Sequence, residues 1–174
     1  MTKQAVYYLT EIRPEDFTGD GDGAAAPLSP HRFKVSSACT QNDASTANVL
    51  AEIKALGSKL DRNKAMLGLE FLVKVAQSGP PFTKSLDKKA LHETHTFHSA
   101  VSGQDEKIWR YRRGDIRILL YYADDKIVLL CGTLSKRKDQ LSEAETNAAE
   151  QAVNRYLSAR QDGRVTWVTP PTEQ

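Results

Sequence analysis

Apolar residues recur along this chain with two different periods, and the change of period divides it. Val49, Leu50, Ile53, Leu56 and Leu60 follow the three-and-four spacing of a helix face, behind the cap formers Asn42, Asp43 and Ser45. A second helix is expected after Asp61, with Leu67, Phe71, Leu72 and Val75 along one side and Gly79-Pro80-Pro81 as its stop. The short join between the two makes a helical hairpin. From His92 onward the period becomes two. Thr94, Thr96, Phe97 and Val101 form a weak strand, while Ile108 to Arg112, Ile116 to Ala123 and Lys126 to Leu134 are strongly strand-like. Gly114-Asp115 is a two-residue loop of type II′ pattern, and Asp124-Asp125 is a weaker two-residue turn. The three strands therefore make an antiparallel meander. A last helix begins at Ser142, which forms a capping box with Glu145. It carries Ala148, Ala149, Ala152, Val153, Tyr156 and Leu157 on one face.

Ahead of these elements, Ala5 to Ile12 reads as a strand ended by Pro14, Thr18 to Pro30 is a loop by composition, and Arg32 to Val35 is a short strand. Asp20 and Asp22 resemble a calcium loop, but the glutamate that closes such a loop is missing, so no calcium site is expected. The predicted fold class is α+β: an N-terminal strand, a helical hairpin, a three-stranded antiparallel meander and a C-terminal helix. Residues 1–44 hold the first strand and a Gly/Asp/Pro-rich extension, 45–160 the folded domain, and 161–174 a tail.

Composition narrows the function classes. With 174 residues, 40% of them hydrophobic, the chain can bury a core without help from disulfides or metal. Its longest apolar run, Ile116 to Ala123, contains Arg117 and falls far short of the roughly 18 residues of a membrane helix. No hydrophobic signal core follows Met1, so a cytoplasmic protein without membrane association is expected. Cys39 and Cys131 lie too far apart for metal-ligand spacing. The net charge of +2 conceals a local surplus, for between Thr83 and Lys138 there are 12 Lys and Arg against 7 Asp and Glu.

The turns set what that surplus faces. With Gly114-Asp115 as the loop, Arg112 lies opposite Arg117 and Arg110 opposite Leu119; with Asp124-Asp125 as the next, Tyr121 lies opposite Val128 and Arg117 opposite Gly132. One sheet face then carries Arg110, Arg112, Arg117 and Tyr121. The other carries Ile116, Ile118, Leu120, Tyr122, Ile127, Leu129 and Cys131, to pack on the helices. Opposed arginines repel, so they call for a carboxylate (Asp115, Asp124 or Glu145) or for an anionic ligand on an open, concave face. His92, His95 and His98 have no evident further ligands for zinc. In a regular strand His92 and His98 share one face and His95 points the other way, leaving them as solvated side chains or as an acid–base group beside a phosphate.

The run Lys107-Ile-Trp-Arg-Tyr-Arg-Arg-Gly-Asp-Ile-Arg117-Ile-Leu-Leu-Tyr121, the run Lys126-Ile-Val-Leu-Leu-Cys-Gly-Thr-Leu-Ser-Lys136-Arg-Lys and the helix ending Ala152-Val-Asn-Arg-Tyr156-Leu together resemble the RelE/ParE/HigB superfamily of bacterial toxins, nearest its phage-derived HigB-like branch. The likeness covers about residues 45–158 and rests on the order of elements. It implies a RelE-like fold and ribosome-dependent mRNA cleavage, without metal or other cofactor, through attack of a ribose 2′-hydroxyl on the adjacent phosphate. It matches Arg110 and Arg117 to the pair at the scissile phosphate, and Arg137, with Lys136 as the alternative, to a later arginine of the pattern. Lys107, Arg112, Arg113, Lys136 and Lys138 are the RNA-binding cations of this reading. Leu141 and Ser142 stand where the pattern has a tyrosine, so Tyr121, His95 and Tyr156 are the candidates for acid–base work. The resemblance also implies a cognate antitoxin, often a helix-turn-helix protein, with DNA bound only through that complex. Two alternatives share the scaffold: a ParE-like inhibitor of DNA gyrase, and a non-enzymatic RNA- or partner-binding module.

Overall fold

The strand segments of this chain find more partners than the apolar pattern reveals. The computed structural model describes residues 5–18, 30–77, 79, 82–124, 126–136 and 140–169. Its strands are β1 (Tyr7–Glu11), β2 (Lys34–Cys39), β3 (Leu91–His98), β4 (Asp105–Arg113), β5 (Ile116–Tyr122), β6 (Ile127–Ser135) and β7 (Val165–Trp167). Its α-helices are α1 (Glu15–Thr18), α2 (Asn48–Lys54), α3 (Lys59–Gln77), α4 (Phe82–Ser85) and α5 (Glu143–Gln161). The strands form one seven-stranded sheet in the order β3-β4-β5-β6-β2-β1-β7. Pairing is antiparallel except for β2 with β6 and β1 with β7, which are parallel. This corrects the expected fold of a three-stranded antiparallel meander beside a helical hairpin. The sheet is mixed, and it draws strands from residues assigned to the N-terminal extension and the C-terminal tail.

β2 continues past the short strand expected at Arg32 to Val35, and this continuation escapes the hydrophobic pattern because its interior is polar. Ser36 and Ser37 are fully buried, with their hydroxyls donating to the backbone carbonyls of Lys34 and Ala38. Ser37 Oγ also accepts the Val49 N–H at 3.1 Å, so a strand hydroxyl satisfies a first-turn amide of α2. The cap formers named above serve a different turn. Asp43 accepts the Ser45 N–H at 2.9 Å and caps the 3-10 turn Ala44–Thr46, so α2 starts late and runs for only seven residues. In α3 the buried stripe is Ala65, Gly68, Leu69, Leu72, Val73 and Ala76, whereas Leu60, Leu67 and Phe71, expected in the core, are exposed.

Both faces of the sheet are covered. On one, α2 and α3 pack over Ile116, Ile118, Leu120, Val128 and Leu130. On the other, Ala149, Val153 and Tyr156 of α5 pack over Leu119, Tyr121, Ile127, Leu129 and Cys131. Ile127, Leu129 and Cys131 thus lie on the face opposite to the one expected. The cause is the second hairpin, where Ala123 N–H donates to Ile127 O at 2.8 Å and Lys126 takes a left-handed φ of 59°. A three-residue loop pairs Tyr121 with Leu129 and Tyr122 with Val128, and this one-residue slip exchanges the faces of β6 from Ile127 to Cys131. A further irregularity between Leu119 and Leu120 leaves Cys131 unpaired and sets Arg117 opposite Leu134.

α3 crosses the sheet at Gly68, where an added Cβ would sit 3.3 Å from Tyr111 Cε1 and 3.4 Å from Arg113 Cδ. Gly68→Val should therefore lower stability by about 1–3 kcal/mol, seen as a reduced urea midpoint at unchanged slope.

Candidate active site

The first hairpin has the pairing its turn chemistry requires, with Gly114 left-handed at φ 57°, Arg112 opposite Arg117 and Arg110 opposite Leu119. Alternation puts Arg110, Arg112, Arg117 and Tyr121 on one face, but α5 lies over part of that face, so it is not an open concave surface. Arg117 is fully buried, and its Nη1 donates to Gly114 O at 2.6 Å and Ile116 O at 3.2 Å. Tyr121 donates its hydroxyl to Glu106 Oε2 at 2.7 Å; burial first, and that carboxylate second, push its pKa above the ordinary phenol value. Tyr156 is buried in the α5 core. Lys107 and Arg113 fall on the opposite face by parity, where Lys107 Nζ meets Glu93 Oε1 at 2.9 Å and lies 5.9 Å from the centre of the Trp109 ring. Arg112 is exposed beside Arg117. Lys136 bonds to Glu145, while Arg137 and Lys138 lie outside the described residues.

One of the expected cations, Arg110, is brought together with imidazoles. It is 2% exposed, and it lines a cleft of about 350 Å³ with His92, Thr94, His95, Leu141 and Thr146. β3 and β4 form one wall of the cleft and the start of α5 the other. Arg110 Nη2 lies 2.9 Å from His92 Nδ1, its cross-strand neighbour. His95 joins the same side through a β-bulge. Glu93 pairs with Trp109 and His95 with Ile108, so Thr94 is an extra residue that reverses the parity of everything after it. Thr94 Oγ1 is 2.8 Å from His95 Nδ1 and donates to Ile108 O at 3.1 Å. His98 remains outside, exposed against Asp105. The residue list hides the shared face of His92 and His95, because a spacing of three separates side chains in a regular strand. Only the pairing of eight residues against seven reveals it.

No protein-family model and no curated protein matches this chain. The cleft therefore stands on its own chemistry. Two larger clefts, of about 590 and 510 Å³, gather groups that are already engaged. Arg164 of the first donates to Ala5 O at 2.9 Å, and Arg32 of the second makes a two-pronged bond with Glu11 at 2.7 and 2.8 Å. Among the described residues no three His, Cys, Asp or Glu side chains gather into a metal-binding group, and no helix is long and apolar enough to cross a membrane.

The α5 wall is held by a capping box in which Ser142 Oγ accepts the Glu145 N–H at 3.1 Å and Glu145 accepts the Ser142 N–H at 2.8 Å. Burial alone would raise the Glu145 carboxyl, but hydrogen bonds from Lys136 and Ser142 outweigh it and hold the group below the usual carboxylate value. A carboxyl lowered in the folded state stabilises the fold above its unfolded value and loses that contribution as pH falls through the folded one. Acidification below about 4.5 should thus loosen the first turn of α5. Glu145→Ala should do the same at neutral pH, read in both cases as lower hydrogen-exchange protection factors at the amides of residues 143–146.

Proposed function

We propose that the chain is the toxin of a type II toxin-antitoxin pair, an endoribonuclease that cuts ribosome-bound mRNA and so inhibits translation and growth. The observation that carries this reading is the meeting of Arg110 with His92 and His95 in one cleft. Cleavage by a ribose 2′-hydroxyl builds charge on the non-bridging phosphate oxygens, and a guanidinium held in the wall of a cleft is suited to stabilise it. Imidazole is the side chain suited to taking and returning the protons. The likeness to RelE/ParE/HigB toxins independently gives Arg110 a position at the scissile phosphate. Arg117 supports the site indirectly by tying the carbonyls of the hairpin that carries Arg110. A cognate antitoxin, of helix-turn-helix type and the source of any DNA contact, belongs to the same proposal.

One observation favours a second reading, a non-enzymatic RNA-binding module: Arg117 and Tyr121, both expected in the chemistry, are engaged inside the fold. A single experiment separates the two. Purified protein is added to a defined mRNA with and without programmed ribosomes, and new 5′ ends are mapped by primer extension. Cuts should appear with ribosomes only and fall about 100- to 1,000-fold in rate in Arg110→Ala. Salt-sensitive RNA binding with no cuts in either condition would replace the nuclease by the binding module.

A further inference from the structure

Two apolar stripes run along α3, and the fold uses one of them. Ala65, Gly68, Leu69, Leu72, Val73 and Ala76 face the core. On the opposite side Leu60, Leu67 and Phe71 are 63%, 51% and 39% exposed, and with Lys64 they follow one another at steps of four, three and four residues. That spacing makes a straight seam, the pattern against which a second helix packs. A surface helix ordinarily carries polar residues there, because one apolar side is enough to hold it to the core.

The seam is firm and its rim is positively charged. Phe71 stacks on Tyr111 with 6.2 Å between ring centres, which fixes the exposed ring. Arg113 Cδ lies 3.4 Å from where a Cβ of Gly68 would sit, and Lys64 Nζ 3.8 Å from the corresponding point at Gly114, so both cations border the seam on its β4 side. Neither has a hydrogen bond or ion pair among the described residues. The acids of the helix are engaged, Glu70 with Lys74 at 3.1 Å and Asp61 as acceptor of the Ser135 hydroxyl at 2.9 Å. The hairpin tip adds one exposed acid, Asp115, so against Lys59, Lys64 and Arg113 the rim stays cationic.

We infer that the exposed side of α3 docks an acidic amphipathic helix of a partner protein, whose apolar residues lie on Leu60, Leu67 and Phe71 and whose carboxylates meet Lys64 and Arg113. The charge pattern selects this occupant over a second copy of the chain. With two α3 helices parallel, a twofold axis sets Lys64 against Lys64; with them antiparallel, it sets the rim of Lys64 and Arg113 against the same rim. RNA is a poorer match, since Leu60 and Leu67 offer no ring for a base and Tyr111 is already stacked. The docking side also lies away from the cleft. α3 packs on the sheet face of Ile116, Ile118 and Leu120, whereas Arg110 pairs with Leu119 on the face under α5. A helix docked on α3 therefore leaves the cleft open, and the inference stands without the endonuclease reading.

The test uses the full chain and three fluorescein-labelled peptides, each as long as α3: one with leucines at steps of three and four flanked by glutamates, one with the same composition scrambled, and one with lysines in place of the glutamates. Fluorescence anisotropy should show saturable binding of the first alone, weaker at higher salt, with amide shifts in the proton–nitrogen NMR spectrum concentrated at residues 60–71. Leu67→Asp should weaken that binding by at least about tenfold. Lys64→Glu combined with Arg113→Glu should weaken it too and should create binding to the lysine peptide. Urea midpoints are measured beside each variant. Leu60→Asp, at the most exposed of the three apolar positions, and Lys64→Glu alone repeat the two tests should either first variant prove less stable. No binding of the glutamate peptide, equal binding of the scrambled one, or binding that Leu67→Asp and Leu60→Asp leave unchanged would overturn the inference. A wild-type dimer in sedimentation velocity that Leu67→Asp dissociates would also overturn it, making a second copy the occupant. Shifts at residues 60–71 produced by a single-stranded RNA oligonucleotide in place of the peptide would overturn it in favour of RNA.

Discussion

Strands β5 and β6 are buried on both faces, and the need to cover both sides shapes the surrounding structure. Alternation along β5 cannot separate an inside from an outside, because Ile116, Ile118 and Leu120 face α2 and α3 while Leu119 and Tyr121 face α5. A charge on such a strand needs internal partners. Arg117 has them in the carbonyls of Gly114 and Ile116, so its guanidinium folds back on the turn that precedes it. Double burial therefore turns an apparent surface cation into part of the hairpin.

The candidate site lies where that double coverage ends. β3 is an edge strand, and the start of α5 reaches only as far as the wall opposite Arg110, leaving a cleft between them. A bulge at an edge also disturbs the row of unpaired backbone groups that would otherwise template pairing with another chain. Here it has a second effect, for Thr94 turns His95 to the side of His92 and holds its ring. Edge protection and the grouping of the two histidines thus share one extra residue.

Some features were legible along the chain because they depend on near neighbours. The capping box at Ser142 and Glu145 starts α5 where those two residues say it should, and glycine at position 114 sets the first hairpin and its opposed arginines. Other features misled because a neighbour out of sequence intervened. Leu67 and Phe71 follow helical spacing as well as Leu69 and Leu72 do, yet Gly68 is the residue that lets α3 approach the sheet, and so it sets which stripe is buried. The strand expected at Arg32 to Val35 runs on through Ser36 and Ser37, because the carbonyls around them and the start of α2 supply their hydrogen bonds.

Short-range chemistry was enough to place strands β4, β5 and β6, helix α5 and the first turn of the meander. Long-range pairing decided the rest. The parallel addition of β2 and β7, the left-handed Lys126 that reverses the faces of β6 as far as Cys131, and the bulge that joins His95 to His92 all depend on which strand lies alongside. The physical reason is the two-residue period of a strand. A single inserted residue reverses every side chain beyond it, and whether a residue is inserted is a property of the pair, not of either strand alone.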